Sequence, residues 1–318
     1  MSLREGASTI IDQCLEVQQN EKVLVLNDSN DRELIESLVK VLEDRDVEHG
    51  VINYEEPENQ GDEPPEYVAD AMKQFDVVIA PTMKSLSHTN ASGEAAEQGA
   101  RVATLPTVNK RMWKNALQAD YEEVERITDK AAEQLQGVEK IRIETEKGTD
   151  LELEIDSDYL EPSNGKLTEA GIGNIPSGEV FTGPLDANGT LVLEENSFGS
   201  KEDEGNEIVI ENRRVTEIRN APEDSKIVEK IENIENADQI AEFGFGTNPE
   251  AEYIGHTLQD EKILGTVHIA LGENSFCLPE GHEKANESSL HWDFILQNPT
   301  VWFDDEKVLD EGEPVFLD

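Results

Sequence analysis

The chain has 318 residues, enough for two domains, and carries 71 acidic against 26 basic side chains, for a net charge of −45. So acidic a surface disfavours nucleic acid and anionic membranes as partners, because phosphate groups would be repelled. The charge has two interpretations. One is disorder. The other is a folded protein adapted to concentrated salt, where a short Debye length screens repulsion. Regular apolar periodicity favours the folded, halophilic protein.

The cysteines and the N-terminus bear on the cellular compartment. Cys14 and Cys277 lie far apart without metal-type spacing, which predicts free thiols in a reducing cytosol. The first ten residues lack the pattern of a signal peptide, and no stretch approaches the ~18–20 apolar residues of a membrane span. We therefore expect a cytoplasmic protein with no membrane partner.

The first part of the chain alternates apolar strands with amphipathic helices. The predicted strands are Lys22–Leu26, Gly50–Tyr54, Asp76–Ala80 and Arg101–Leu105. The predicted helices are Leu3–Gln19, Glu33–Glu43, Glu66–Phe75 and a long charged helix at Lys110–Gly137. Short continuous apolar strands separated by helices predict a doubly wound parallel sheet, and we assign residues 1–136 to this α/β domain.

The second part changes to strands in which apolar and polar residues alternate. Two alternating runs around Lys147-Gly148 predict an antiparallel hairpin. Further strands follow at Thr190–Leu193 and Glu207–Glu211, and a helix is predicted at Ser225–Phe243. Residues 137–318 are therefore predicted to form a mainly antiparallel, β-rich α+β domain.

Glu179 lies in a stretch in which turn residues precede a short apolar strand. The stretch GIGNIPSGEVFTGP runs from Gly171 to Pro184. Its Asn, Pro, Ser and Gly residues predict a turn, after which Glu179 opens a strand. A solvated acid at a strand start is the plain alternative in so acidic a chain. The other interpretation is a carboxylate that the turn places for chemistry.

Histidines are scarcer than acids, with six in the chain, and two lie in predicted strands. In the strand 266–272, His268 shares its face with small side chains, which leaves room beside the imidazole; the alternative is a core histidine satisfied by one hydrogen bond. In the strand 288–296, His291 and Asp293 share a face about 7 Å apart. A buried aspartate needs a partner, which favours a joint role for this pair.

Glu242 precedes a Gly-x-Gly turn at the end of the predicted helix, where glycines permit close approach of the backbone. The alternative is an exposed glutamate at a helix C-terminus. The candidate ligands are then Glu179, Glu242, His268, His291 and Asp293. Mixed carboxylate and imidazole ligands suit zinc, cobalt or manganese. Two divalent ions would offset the repulsion among three carboxylates and clamp the attacking and leaving oxygens of a substrate.

At these residues the sequence resembles the aminopeptidase T and aminopeptidase S metallopeptidases, the thermophilic-type leucyl aminopeptidases. The matching stretches lie at 174–184, 242–249, 260–272 and 291–293, with further similarity at 84–89 and 99–106. The resemblance implies a two-metal site held by the five candidate ligands. It also implies hydrolysis of the N-terminal bond of short peptides by a metal-activated water. Glu179 or Glu242 would move the proton from water to the leaving amine. Family members are typically dimers, so the resemblance also implies a homodimer.

The chain departs from the family pattern at one position that matters for catalysis. The family has a tyrosine seven residues after the first metal histidine, where it stabilises the oxyanion, and this chain has Ser275 there. Tyr253 is a candidate replacement, as is His282, and His88 is a candidate contact to substrate or to a partner subunit. The chain is also shorter than typical members.

Three further functions remain open on the sequence alone. A related metal-dependent hydrolase could act on another small amide, and a metal-binding relative could bind a ligand without turnover. The serine at position 275 favours these two. A nucleotide-binding function of the first domain is weaker, because no phosphate-binding loop follows its strands.

Overall fold

The computed structural model describes residues 2–194, 205–279 and 281–317. The α-helices are α1 (Leu3–Ser8), α2 (Arg32–Asp44), α3 (Glu66–Met72), α4 (Asn90–Glu97), α5 (Tyr121–Leu135), α6 (Lys226–Asn233) and α7 (Thr257–Asp260). The first nine strands are β1 (Lys22–Asn27), β2 (Glu48–Asn53), β3 (Val77–Ala80), β4 (Arg101–Thr104), β5 (Lys140–Glu144), β6 (Asp150–Glu154), β7 (Glu161–Ser163), β8 (Gly171–Asn174) and β9 (Glu179–Thr182). The remaining strands are β10 (Asp186–Val192), β11 (Glu207–Glu211), β12 (Arg214–Arg219), β13 (Ile240–Gly246), β14 (Val267–Gly272), β15 (His291–Leu296), β16 (Thr300–Phe303), β17 (Glu306–Asp310) and β18 (Glu313–Pro314).

The chain divides into two compact units. Unit 1 comprises residues 1–125, 164–177 and 250–252, and unit 2 comprises residues 126–163, 178–249 and 253–318. The division falls within α5, and the short segments show that the chain passes between the units several times. The domain boundary predicted between residues 136 and 137 stays a prediction. Within the described ranges, no helix is both long and apolar enough to span a membrane.

Unit 1 is built on a parallel sheet of five strands in the order β2-β1-β3-β4-β8. Strands β1 and β3 are almost entirely buried apolar residues, as expected for a sheet covered on both faces. Asp31 caps α2 by accepting a hydrogen bond from the Glu33 amide at 2.9 Å. The predicted doubly wound parallel sheet is confirmed, although its last strand comes from the segment 171–174.

Unit 2 contains two antiparallel sheets. The larger has eight strands in the order β12-β11-β10-β6-β5-β16-β17-β18, and the smaller, called the site sheet below, has the order β15-β14-β13-β9-β7. The hairpin β5–β6 alternates exposed charged and buried apolar residues, as predicted. One apolar core joins the two sheets and includes Ile143, Leu153, Phe243, Ile269 and Phe294. The predicted β-rich, mainly antiparallel second part is confirmed.

Three helix predictions were wrong in extent. Residues 110–120 contain only two short 3₁₀ turns, and α5 begins at Tyr121. The first helix changes to a π-helical turn at Thr9–Cys14 and ends there. The helix predicted at Ser225–Phe243 ends at Asn233, and Ile240–Gly246 is a strand buried on both faces. The run Ile-Ala-Glu-Phe-Gly-Phe-Gly is short, apolar and rich in glycine, which suits a central strand better than a helix.

Candidate metal centre

One face of the site sheet is polar and the other packs into the core of unit 2. Glu242, Ala270 and Asp293 lie opposite one another on β13, β14 and β15. On the same face, Gly244 lies opposite His268, and Gly272 lies opposite His291. Because side chains alternate along a strand, the intervening residues enter the core. The polar face therefore has a floor of small residues around which the acids and histidines stand.

Gly178 fixes the start of β9 and with it the position of Glu179. Its φ of +123° is unfavourable for residues with a side chain, and a Cβ there would lie 2.7 Å from the Cβ of Asn248. Its carbonyl accepts a hydrogen bond from the Thr247 amide at 2.8 Å. The glutamate that follows is 6% exposed, so the alternative of a solvated acid is wrong.

Gly244 makes room for the imidazole of His268. A Cβ at Gly244 would lie 2.0 Å from Cε1 and Nε2 of that ring. His268 is 1% exposed, and its Nε2 lies 3.1 Å from Oε1 of Glu242. The glycine is thus a steric requirement of the site within a strand, and the helix C-terminus expected at Glu242 does not exist.

The structure brings all five predicted ligands together. Nε2 of His268 lies 3.7 Å from Oε2 of Glu179. Nε2 of His291 lies 3.5 Å from Oε2 of Glu242 and 3.2 Å from Oδ1 of Asp293. Three sets of side chains each have ligand atoms within 4.8 Å of one another: Glu179 with Glu242 and His268, Glu242 with His291 and Asp293, and Glu261 with His268 and Asp293. Glu242 contributes to two of these sets, as do His268 and Asp293.

Two neighbouring groups hold the ligands in place. Nδ1 of His291 lies 2.8 Å from the carbonyl oxygen of Glu273, which directs the proton to Nδ1 and leaves Nε2 free to bind an ion. The buried thiol of Cys277 donates to Oε2 of Glu242 at 3.5 Å. Burial raises the pKa of this thiol, as do the nearby carboxylates. Cys277 is therefore a neutral donor here, and both cysteines are free, as predicted.

A lysine also belongs to the cluster. Nζ of Lys262 donates to Oε1 of Glu179 at 2.5 Å and to Oε1 of Glu261 at 2.7 Å. Lys262 is 2% exposed, so these carboxylates balance its charge away from water. Burial raises the pKa of Glu261 to about 7, although Lys262 opposes this shift.

The histidines compensate the acids by holding protons when no metal is bound. Burial lowers the pKa of His268, but the hydrogen bond to Glu242 and the neighbouring carboxylates outweigh it and raise the pKa to about 9. Burial likewise lowers the pKa of His291, while Asp293 and Glu242 raise it to about 10. Burial raises the pKa of Asp293, but His291 lowers it to about 2. The site thus favours positive charge at its centre, and metal binding would release these protons.

The cluster fits a divalent cation. Oε2 of Glu179 is buried and has no hydrogen-bond partner among the described residues. Such an orphaned acceptor beside other buried carboxylates would be costly without a compensating cation. Imidazole and carboxylate ligands are those of first-row transition metals.

Aromatic rings stand beside the histidine at the more exposed end of the site. Phe276 packs edge to face against His291 with ring centroids 5.1 Å apart, and Phe181 lies 6.4 Å from Phe276. The side chain of His291 is 27% exposed, against 1% for His268. The site therefore opens at His291, next to an aromatic wall formed by Phe181 and Phe276.

None of the other predicted contact residues belongs to the three ligand sets. Ser275 is exposed, and its amide donates to the Glu273 carboxylate at 2.8 Å, as does its hydroxyl. Tyr253 lies in unit 2 between β13 and α7, and His88 lies in unit 1 between β3 and α4. His282 stacks edge to face on Tyr159, with ring centroids 5.4 Å apart. Contact of Ser275, Tyr253 or His88 with substrate stays a prediction.

The sequence patterns did not reveal Glu261, Lys262, Cys277 or the aromatic wall. The run Asp260-Glu261-Lys262 before a buried strand carried a usable signal, since three charges beside an apolar run must find partners. No local pattern pointed to Cys277 or Phe276, which reach the site from the loop after β14.

Two solved structures have a fold similar to that of this chain. The structure of 2,5-dihydroxypyridine dioxygenase from Pseudomonas putida KT2440 is similar with a TM-score of 0.79 and 18% identity, over 98% of this chain and 96% of that chain. Wild-type AmpT from Thermus thermophilus is similar with a TM-score of 0.70 and 17% identity, over 98% of both chains. No curated protein sequence matches the chain. These similarities confirm the fold that the aminopeptidase resemblance implied.

The family follows from the sequence itself. The model of the family described as NicX, 2,5-dihydroxypyridine 5,6-dioxygenase, matches residues 8–316. The chain therefore belongs to this family. Aminopeptidase activity, which the resemblance implied, stays a prediction.

Proposed function

We propose that this protein is an iron-dependent dioxygenase that opens a dihydroxylated, nitrogen-containing aromatic ring. The observation that carries the proposal is that His268, His291 and Asp293 lie on one face of the site sheet, with Glu242 between the two histidines: its Oε1 lies 3.1 Å from His268 and its Oε2 lies 3.5 Å from His291. Two histidines and one carboxylate form the ligand set of non-haem Fe(II) oxygenases, which keeps positions open for O₂ and substrate. The family to which the chain belongs supports the same chemistry.

The aromatic wall supports a flat ring as the substrate. Phe181 and Phe276 lie beside His291, where the site is most exposed. Aromatic rings pack favourably edge to face or offset at centroid separations of about 4.5–7 Å. A planar substrate entering there would lie against these phenyl rings with its hydroxyl groups toward the acids.

The reaction is balanced without an external reductant. Cleavage of the C5–C6 bond of 2,5-dihydroxypyridine would place one atom of O₂ on each carbon, so the ring supplies all the electrons. Bound iron supplies the redox chemistry that lets O₂ react with an organic ring. His268, His291 and Asp293 would hold the metal. Glu242 is the carboxylate placed to accept the proton of a ring hydroxyl, since it is buried among the ligands.

Oxygen uptake tests the proposal. Protein purified in high salt and loaded anaerobically with Fe(II) would be mixed with 2,5-dihydroxypyridine and air-saturated buffer. We expect one O₂ consumed per ring opened and both atoms of labelled O₂ in the product. His291→Ala should abolish uptake and iron binding together, whereas His49→Ala, on β2 of unit 1, should change neither. Iron-loaded protein that consumes no O₂ with this substrate or with related dihydroxylated pyridines would overturn the proposal.

A metallo-aminopeptidase is the second candidate, and one observation favours it. Glu242 belongs to two of the three-residue ligand sets, as a carboxylate that bridges two metal ions would. Short peptides with a free N-terminus would then be the substrates, with Glu179 or Glu242 as the proton carrier. Release of amino acids from such peptides with zinc, cobalt or manganese, lost in Glu179→Ala, would support this candidate. We expect no release.

A further inference from the structure

We propose that the ammonium group of Lys262 takes the place of a second metal ion and that this lysine keeps a second divalent cation out of the cluster. The inference rests on the proposed function only in taking the ligand cluster to be a metal site. What it adds is a role for Lys262 in the cluster.

The position of Nζ is that of a bound cation. Two carboxylate oxygens from different parts of the chain approach it, one from Glu179 at 2.5 Å and one from Glu261 at 2.7 Å. Lys262 is 2% exposed and its two partners are 6% and 8% exposed. A buried ammonium is costly unless carboxylates surround it, so the lysine and the two glutamates form a single ion-paired unit.

Glu179 connects this unit to the proposed metal. Its Oε1 accepts from Lys262, while its Oε2 lies 3.7 Å from Nε2 of His268 and has no hydrogen-bond partner among the described residues. One oxygen therefore faces the ammonium and the other faces the imidazole ligand. In a two-metal site a carboxylate in this position would bridge the ions. Here one of the two cations is a lysine side chain.

The loop that carries Lys262 is hydrogen-bonded to the segment that follows β13. The Asn248 amide donates to the Lys262 carbonyl at 2.8 Å, and the Leu264 amide donates to the Asn248 carbonyl at 3.1 Å. The buried Asp260 accepts from the amides of Ile254 and His256 at 2.8 and 2.7 Å. The backbone around Lys262 is therefore fixed by hydrogen bonds, which gives its ammonium group a defined, buried position.

The number of Mn(II) ions per chain tests the inference. Mn(II) is the probe because its paramagnetic resonance spectrum distinguishes isolated ions from coupled pairs about 3.5–4 Å apart. We expect the wild-type protein to bind one Mn(II), with the spectrum of an isolated ion. Lys262→Gln should bind two with the spectrum of a coupled pair, because Glu179 and Glu261 become free to ligate a metal. Lys262→Arg, which keeps the charge, should bind one.

Two controls keep the result interpretable. Lys307→Gln removes an exposed lysine that pairs with Asp310 on β17 and should leave one Mn(II) bound. If Lys262→Gln does not fold, the double variant with Glu261→Gln removes one charge of each sign, leaves Glu179 free and keeps an amide oxygen as a ligand. That variant should also bind two ions.

Either of two outcomes would overturn the inference. One is a coupled pair of Mn(II) ions in the wild-type protein, which would favour the aminopeptidase candidate. The other is a single ion in a folded variant that lacks the lysine. Failure of the dioxygenase assay would leave these ion counts unchanged, so the two proposals fail separately.

Discussion

At the scale of single residues, the site depends as much on small residues, which leave room for the ligands, as on the ligands themselves. Gly244 and Ala270 form the floor below the ligands, opposite His268 and Asp293 respectively. The sequence identified Gly244 only as a turn residue, because a glycine between aromatic residues gives no local sign of which ring it accommodates. His268, His291 and Asp293 were recognisable because a polar residue in a buried strand is rare and costly.

Gly244→Ala should displace the imidazole of His268, because the new Cβ would lie 2.0 Å from the ring. We expect metal affinity to fall about 10- to 100-fold, the range seen when the orientation of a ligand is lost. Calorimetric titration with Mn(II) would measure the change. Gly93→Ala is the matched control, since nothing lies within 4 Å of its new Cβ on α4. Unchanged affinity in Gly244→Ala would contradict this account of the site floor.

At the scale of helices and strands, sequence periodicity located most elements correctly. The parallel strands of unit 1 are short apolar runs between helices, and the hairpin β5–β6 alternates cleanly, so both were predictable. The first part of strand β13 was predicted as the end of a helix, and its glycines as a turn, because a run buried on both faces has no alternation. Strand β8 was not predicted because two of its four residues are glycine, and its pairing with β4 is long-range.

The first residue of β4 is anchored by an ion pair that should make stability depend on pH. Nη1 and Nη2 of Arg101 donate to the carboxylate of Glu21, at 2.8 and 2.9 Å. This hydrogen bonding lowers the pKa of Glu21 in the folded protein. The stabilisation is therefore present above the unfolded pKa of about 4.3 and is lost as the pH falls through the lower folded value.

Glu21→Gln should reduce the free energy of unfolding by about 1 kcal/mol at pH 7, after allowance for solvent screening. The difference from wild type should shrink as the pH falls below about 4.3, where the unfolded state binds the proton first, and should vanish once the folded state is protonated as well. Denaturant unfolding in high salt at several pH values would measure it. The control is Glu36→Gln, which breaks the exposed pair with Arg32 on α2 and should change little. A difference between wild type and Glu21→Gln that is constant with pH would rule out the ion pair as its source.

At the scale of the whole molecule, the charge dominates. A net charge of −45 on 318 residues destabilises the compact state through self-repulsion unless counterions screen it. Adaptation to salt, a homodimer and a cytoplasmic location stay predictions, since each depends on solution conditions, a second chain or the cell. The number of ions per chain is also a property of the assembled site, which no stretch of sequence reveals alone.

Thermal stability should therefore rise with salt. Between 0.1 and 1 M KCl the Debye length falls from about 10 to 3 Å, so repulsion among surface acids should weaken steeply. We expect the midpoint of thermal unfolding to rise over this range. Sucrose is the control, because it acts by exclusion from the protein surface and screens no charge. A midpoint that is flat in KCl would show that the acidic surface does not limit stability.

The two-sided construction of the site sheet has a consequence for engineering. Each ligand on β14 and β15 is flanked by core residues, Val267 and Ile269 beside His268, and Trp292 and Phe294 beside Asp293. Random mutagenesis of these strands would mostly yield unstable protein. The aromatic wall has no such constraint, because Phe181 and Phe276 are both partly exposed. A library confined to these two positions could vary substrate choice while leaving the scaffold and the ligands intact.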